Sequence, residues 1–319
     1  MQKSKVSLEP QLNTIENCNS TDKGRFIQEA SIDIIICDPP LFKNQNDKQL
    51  NNWNMENDYY SWFRIFMNIA SSRLRKTGIF YLIGDVEDLC ELHPIIMEFD
   101  FQLSMTYYFT KNRKMSVGKK KDNTRTTKVV ECVFVFTRNF QKEVKKILKL
   151  HQAKSKLSSR EINLQLSGNG NGGGYWSLYC GENSRNLIPT EEHWDKLRHI
   201  FEIDVDYNDI NTQFRAYEGI NFWEDISYEE DKFLNGSNRP VNLFERLLQM
   251  NRKDPQDIMV WDPFCGYGNS TLACRKMGIN YFAHEFDVKT YYKAMINTGN
   301  SLKFSKPVLL SVPQLQVTN

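Results

Sequence analysis

Two stretches of this chain share one pattern, an apolar run that stops at Asp-Pro. The first is Ile32 to Cys37, followed by Asp38-Pro39-Pro40-Leu41-Phe42. The second is Ile258 to Trp261, followed by Asp262-Pro263-Phe264-Cys265-Gly266-Tyr267-Gly268-Asn269-Ser270. A carboxylate held at a strand end by two φ-locked prolines is well placed to do chemistry, although Asp-Pro alone is also common turn chemistry. The glycine turn adds a second function, since a strand, a tight turn and a helix N-terminus let a ligand approach the backbone closely. Glu285 lies about twenty positions past the first glycine, where an acid commonly holds ribose hydroxyls. The set predicts a nucleoside-type cofactor without choosing which one.

These residues need a scaffold that brings distant strand ends together. The β-branched run Ile32 to Cys37 reads as a buried strand of a parallel sheet, covered on both faces. In open α/β sheets the ligand crevice lies outside the carboxyl ends of such strands. Tyr59, Trp62, Phe63, Phe66, Met67 and Ala70 recur at helical spacing and predict a core-facing helix that breaks at Lys76-Thr77-Gly78, ahead of a strand Ile79 to Ile83. A helix near Val86 to Phe99 and strands near Gln102 to Phe109 and Val129 to Phe136 follow. Residues 1 to 14 carry no periodic pattern, Asn17 to Ser31 reads as a short helix or loop, and the polar stretch Lys43 to Asn57 reads as a surface loop over the crevice. The glycine turn leads into a helix Leu272 to Met277 and a strand Ile279 to His284. Only 34 residues follow Glu285, too few for half of a doubly wound sheet. The completing strands must therefore come from the N-terminal half.

Net charge is +2, but its distribution is uneven. Lys111 to Arg160 holds 16 Lys and Arg against 3 Asp and Glu, the footprint of a polyanion partner. Within it Lys111, Arg113, Lys114, Lys119, Lys120, Lys121 and Arg125 lie between two predicted strands, where phosphate binding is their natural use. Lys142, Lys145, Lys146 and Lys149 continue the charge along a predicted helix whose other side is Val144, Ile147 and Leu148. Ser167 to Trp176 is a glycine-rich hinge or exposed loop, and a subdomain junction is expected near it. Pro189-Thr190 caps an amphipathic helix with Trp194, Leu197, Ile200 and Phe201 on one face. Glu191 to Asp231 has 13 acids against 3 bases, which suits a solvated face or subunit contact. Pro240 opens a helix Val241 to Met250. Seven scattered cysteines with no Cys-x-x-Cys pair argue against a disulfide framework or zinc site, and no metal is expected. No apolar stretch approaches a membrane span, so an intracellular, cytoplasmic protein is expected, nuclear if the source is eukaryotic.

In order, the motifs resemble those of amino methyltransferases acting on exocyclic amines of DNA bases, of the β group, in which the catalytic motif precedes the cofactor motif. Asp38-Pro39-Pro40 matches the family's Asp/Ser-Pro-Pro-aromatic. Asp262 to Ser270 resembles Asp-Pro-Phe-x-Gly-x-Gly-x-Thr, Asn235 to Leu243 is similar to His-Pro-Thr-x-Lys-Pro-x-x-Leu, and Leu74 to Ile79 to its Leu-Lys-Pro-Gly-Gly lead-in. Two departures stand out: Leu41 takes the aromatic position, with Phe42 next, and Asn269-Ser270 replaces Thr-Thr. The resemblance implies a doubly wound, mostly parallel Rossmann-like α/β sheet with helices on both faces, in permuted motif order. Its parts are a lead-in (1–30), a catalytic half (31–137), a target-recognition insertion (138–233), a cofactor half (234–300) and a C-terminal strand or tail (301–319).

It further implies S-adenosylmethionine as cofactor, duplex DNA with a flipped base as partner, and adenine N6 in preference to cytosine N4, because Asp rather than Ser opens the catalytic motif. Asp38, Pro39 and Pro40 would act on the amine and Phe42 would stack on the base. Asp262, Phe264, Gly266, Gly268, Ser270, Glu285, Asn235, Ser237 and Arg239 would hold the cofactor. A homodimer stays open. The rival readings are a silent DNA-binding subunit, an RNA methyltransferase and a nicotinamide dehydrogenase. The last would want Gly-x-Gly-x-x-Gly, but Thr271 stands at its third position.

Overall fold

The computed structural model describes residues 10–44, 51, 53–110, 130–168, 174–181, 187–216, 220–226 and 239–299. At its centre β2 (Ile32–Cys37) is buried along its whole length, as five apolar positions in six demand of a strand covered on both faces. Ile34 and Ile36 enter one apolar cluster, while Ile35 and Cys37 enter the other on the opposite face.

The remaining strands are β1 (Thr14–Asn17), β3 (Leu74–Gly84), β4 (Phe101–Thr110), β5 (Val130–Arg138), β6 (Phe222–Trp223), β7 (Met259–Asp262) and β8 (Asn280–Glu285). They form a sheet in the order β1-β8-β7-β2-β3-β5-β4-β6. Every neighbouring pair is parallel except the two that β5 makes, with β3 and β4, so β5 alone runs against the rest. β7 and β8 are completed by strands from the N-terminal half, β2 on one side and β1 on the other.

Helices cover both faces. On one side α1 (Glu56–Arg73) inserts Phe63, Phe66, Met67 and Ala70, and α2 (Val86–Met97) inserts Leu89, Leu92, Ile95 and Ile96. A third helical unit holds α3 (Gln141–Ser155), α4 (Ser159–Ser167), α5 (Tyr175–Cys180) and α6 (Glu191–Phe201) around Trp176, Trp194 and Leu197. The other face carries Leu243, Phe244, Leu247 and Leu248 of α7 (Val241–Gln249), Ala273 and Cys274 of α8 (Asn269–Met277), and Ala294 and Met295 of α9 (Val288–Asn297). Each fully buried Leu or Phe adds about 1.5–3 kcal/mol, which locks the helices to the sheet and fixes the strand ends.

Three expectations are corrected. Lys76-Thr77-Gly78 does not break α1, which ends at Arg73; β3 already starts at Leu74, opposite Ile32. The register then shifts between Ile32 and Ile34, and a Cβ at Gly78 would lie 2.9 Å from the Asp33 carbonyl, so this glycine serves close strand approach. Thr14–Asn17, read as lead-in without pattern, pairs with β8 as an edge strand. Finally, α4 and α5 on either side of the glycine run share one apolar cluster, so the run is an internal connection of the helical unit and not a junction. The basic segment between β4 and β5 lies outside the described residues, but its two feet are fixed, since Thr110 and Val130 are ladder partners.

Candidate active site

β2 and β7 are adjacent and parallel, with Ile34 opposite Val260 and Ile35 opposite Trp261, so their carboxyl ends open on the same side of the sheet. Asp262 ends β7 and Asp38 directly follows β2. The neighbouring strands continue the series. Glu285 ends β8, Asp85 follows β3, and Glu131, near the start of the reversed strand β5, reaches the same rim. Five consecutive strands of the sheet thus bring a carboxylate to one edge.

Arg239 stands among them. Its Nη2 is 3.4 Å from Asp38 Oδ1 and its Nε is 3.3 Å from Glu131 Oε2. Its carbonyl accepts a hydrogen bond of 2.8 Å from Asn269 Nδ2, at the first residue of α8. Asn297 Nδ2 donates to Asn269 Oδ1 at 2.7 Å and to the Tyr267 carbonyl at 2.9 Å. The turn after β7 and the carboxylate after β2 are therefore joined through one arginine, by its carbonyl on one side and its guanidinium on the other.

The glycine turn is built on left-handed backbone at Gly266 (φ 54°) and Gly268 (φ 80°). At Gly268 a Cβ would meet Thr298 Cγ2 at 2.9 Å, whereas at Gly266 it would meet nothing within 4 Å. The turn is thus packed from below at one glycine and open at the other. Asp262 is buried beneath it, accepting from the Phe264 amide at 3.0 Å and from the Ser270 hydroxyl. Burial pushes its carboxyl up to about 7 against these bonds, and the nearby Asp38 charge adds to the rise. Glu285 accepts from the Gly266 amide at 3.0 Å and the Asp287 amide at 2.7 Å, and burial pushes it also up to about 7. Phe264 lies between Trp62 and Phe66, with ring centroids 5.7 and 5.0 Å away.

Pro39 is buried and Pro40 half-buried behind Asp38. Phe42 is half-buried and faces Tyr59, centroids 6.4 Å apart, while the next residue, Lys43, is held by Asp88 and Glu91 of α2 at 3.1 and 2.7 Å. Asp38, Arg239, Asp262, Ser270, Glu285 and the two glycines are thus brought together. Asn235, Ser237 and the residues Lys111, Arg113, Lys114, Lys119, Lys120, Lys121 and Arg125 lie outside the described residues. Sequence reasoning missed Glu131 and Asn269. For Glu131 a signal existed: it is the one acid in the otherwise apolar run Val129 to Phe136. Among the described residues no group of His, Cys, Asp or Glu is arranged to hold a metal, and no helix is long and apolar enough to cross a membrane.

The type II methyltransferase M.HinfI of Haemophilus influenzae is 22% identical over 294 residues, 87% of this chain. The match spans 66% of that enzyme's length. Among solved structures, the PvuII DNA methyltransferase (cytosine-N4-specific) shares the fold with a TM-score of 0.53 at 15% identity, over 93% of this chain and 89% of that one. The M1.HpyAVI–SAM complex gives 0.50 at 12% identity, over 88% and 97%. A model of the N6/N4-type DNA methylases matches residues 32–297, from the first residue of β2 to the last of α9, and the chain belongs to that DNA methylase family.

Proposed function

We propose that this protein transfers a methyl group from S-adenosylmethionine to the exocyclic amine of a flipped base in duplex DNA, adenine N6 in preference to cytosine N4. The observation that carries the reading is that Asp38 and Asp262 end two adjacent parallel strands, with Arg239 joining the first to the glycine turn after the second. The residues suit the cofactor. Open space faces Gly266, and two carboxyls raised by burial would be relieved by a ligand bearing positive charge. When bound, the cofactor supplies an electrophilic methyl group on a sulfonium.

The chain's own residues bind and orient. Glu285 would take the ribose hydroxyls of the cofactor, and Asp262, fixed by Ser270, would support the Gly266 to Gly268 turn that would receive its methionine end. Phe264 packs near the methyl donor, and Asn235, Ser237 and Arg239 close the other side. Lys111, Arg113, Lys114, Lys119, Lys120, Lys121 and Arg125 hold phosphates, and their binding weakens with salt.

A base inside a duplex cannot present its amine, so the nucleotide is flipped at a cost of a few kcal/mol, offset by pocket hydrogen bonds and by stacking on Phe42. The amine lone pair is delocalised into the ring and is a poor nucleophile. Asp38 and the Pro39 carbonyl accept its N–H bonds, hold the nitrogen pyramidal and aim the lone pair at the methyl carbon. The carboxylate also stabilises the positive charge that develops, and the proton released from nitrogen leaves through it. Preference for adenine rests on the resemblance, through Asp rather than Ser at position 38.

Mass spectrometry of nucleosides from DNA exposed to the protein tests the reading, with N6-methyladenine expected. N4-methylcytosine in its place overturns the base preference, and label appearing in RNA but not in duplex DNA overturns the substrate. Asp38→Ala should lose transfer while binding the cofactor within about threefold of the parent. Transfer retained by that variant removes Asp38 from the mechanism.

A further inference from the structure

We propose that Glu131 is a positioning residue: it keeps the Arg239 guanidinium divided between two carboxylates, so that Arg239 does not occupy both oxygens of Asp38 and leaves one to accept from the target amine. The inference rests on the catalytic reading of Asp38 given above.

The geometry begins with strand direction. Because β5 runs against the sheet, its first residues reach the crevice rim. Cys132 is opposite Gly84, the last residue of β3, and Glu131 lies one step further out, opposite Phe109. Glu131 is nevertheless only 1% exposed. A carboxylate so buried needs a cation beside it, and Arg239, itself 10% exposed, provides one.

An arginine with one carboxylate partner tends to a forked, two-point pair with N–H···O distances of about 2.7–2.9 Å. Arg239 is not arranged that way. It spans to Glu131 through Nε at 3.3 Å and to Asp38 through Nη2 at 3.4 Å, both longer than a forked pair. Its backbone cannot follow either partner, because Asn269 holds its carbonyl at 2.8 Å. The guanidinium is thus balanced between two anions by rotation of its side chain. Asp38, with a side chain 32% exposed, meets the guanidinium through Nη2. With the charge at 131 removed, the balance tips. Arg239 swings to Asp38, both carboxylate oxygens receive N–H bonds from the guanidinium, and the amine must displace them.

The test compares Glu131→Gln, Glu131→Gln/Arg239→Gln and Asp38→Ala in the full chain with duplex DNA at saturating S-adenosylmethionine. Glu131→Gln is nearly isosteric and should lower single-turnover methyl transfer about 10- to 100-fold while leaving the cofactor Kd within about twofold. Its crystal structure should show two N–H groups of Arg239 on Asp38. Removing the guanidinium in the double variant should recover transfer at least about fivefold over Glu131→Gln, an inversion that simple loss of packing does not produce. The proposal is overturned if Glu131→Gln transfers within twofold of the parent, if the double variant is no faster than the single one, or if Arg239 stays divided in the crystal. Transfer retained by Asp38→Ala would instead bring down the underlying catalytic reading, and this inference with it.

Discussion

Asp262 and Glu285 both sit at about 7 because burial opposes their charge, and on the proposed role of these residues cofactor affinity should depend on pH in a calculable way. A ligand carrying positive charge favours both ionised forms, so its binding must release their protons. With two midpoints at about 7, the ratio of affinities between pH 7.5 and pH 6 works out at about 70-fold if both groups are coupled to the ligand, and about 8-fold if one is. The window stops at pH 7.5 because the ligand's own α-amino group titrates near about 8. Titration calorimetry of S-adenosylmethionine in phosphate and in Tris, whose ionisation heats differ, should give tighter binding at the higher pH. It should also show release of about one proton per ligand at pH 7. Glu285→Gln should halve that release. The sign for folding follows from the same shifts. Both groups are raised above unfolded values of about 4, so their contribution to stability is full below pH 4 and is lost as pH rises through about 7. Ligand should stabilise the fold most where that contribution has gone. A Kd constant between pH 6 and 7.5, with no buffer-dependent heat, would refute the account of these two carboxyls.

Three further outcomes are expected. Gly266→Ala, facing open space, should fold with a penalty of about 1 kcal/mol for its positive φ and weaken cofactor binding, whereas Gly268→Ala also drives a methyl into Thr298 and should lower the melting temperature more; equal effects of both in thermal and binding assays would contradict the geometry. Ser270→Ala removes a bond that lowers the Asp262 midpoint, so the pH profile of cofactor binding should move upward, with about 1–2 kcal/mol of stability lost in urea titration. Asp33 is buried at the far end of β2, where it accepts from the Met259 amide at 2.9 Å and from Lys253 at 2.6 Å and forms an ion pair with Arg75 at 3.2 Å. Because both cations are partly exposed, Asp33→Asn should cost only about 1–3 kcal/mol and leave kcat per folded molecule unchanged; a lower kcat at unchanged stability would count against a purely structural role.

The centre of the fold was legible because strand ends are punctuated. Ile32 to Cys37 could be placed as a two-faced strand from β-branched residues alone, and Asp-Pro marked where it stopped. The edges were not legible. Thr14–Asn17 has no alternation to read, since its place comes from β8, through hydrogen bonds made 268 residues away in sequence. Gly78 carries the composition of a helix stop but serves strand contact, a distinction that only the position of the Asp33 carbonyl makes. In the site, Asp38 and Asp262 declared themselves through their prolines. Glu131 showed only as a lone acid in an apolar run, because its place at the rim comes from the reversed direction of β5, which a sequence pattern does not encode.

That reversal has a further consequence, at the hairpin between β4 and β5. Thr110 and Val130 pair as the last rung of the ladder, at the edge that carries the strand-end carboxylates, so the nineteen residues between them leave and rejoin the sheet beside the crevice. The segment 111–129 is therefore anchored at both ends on one fixed rung of the sheet. Such a mount is interchangeable: any insert whose ends fit one antiparallel rung can be exchanged without disturbing the strands beneath. Affinity for a polyanion and the choice of its sequence could then diverge between relatives while the catalytic floor stays constant.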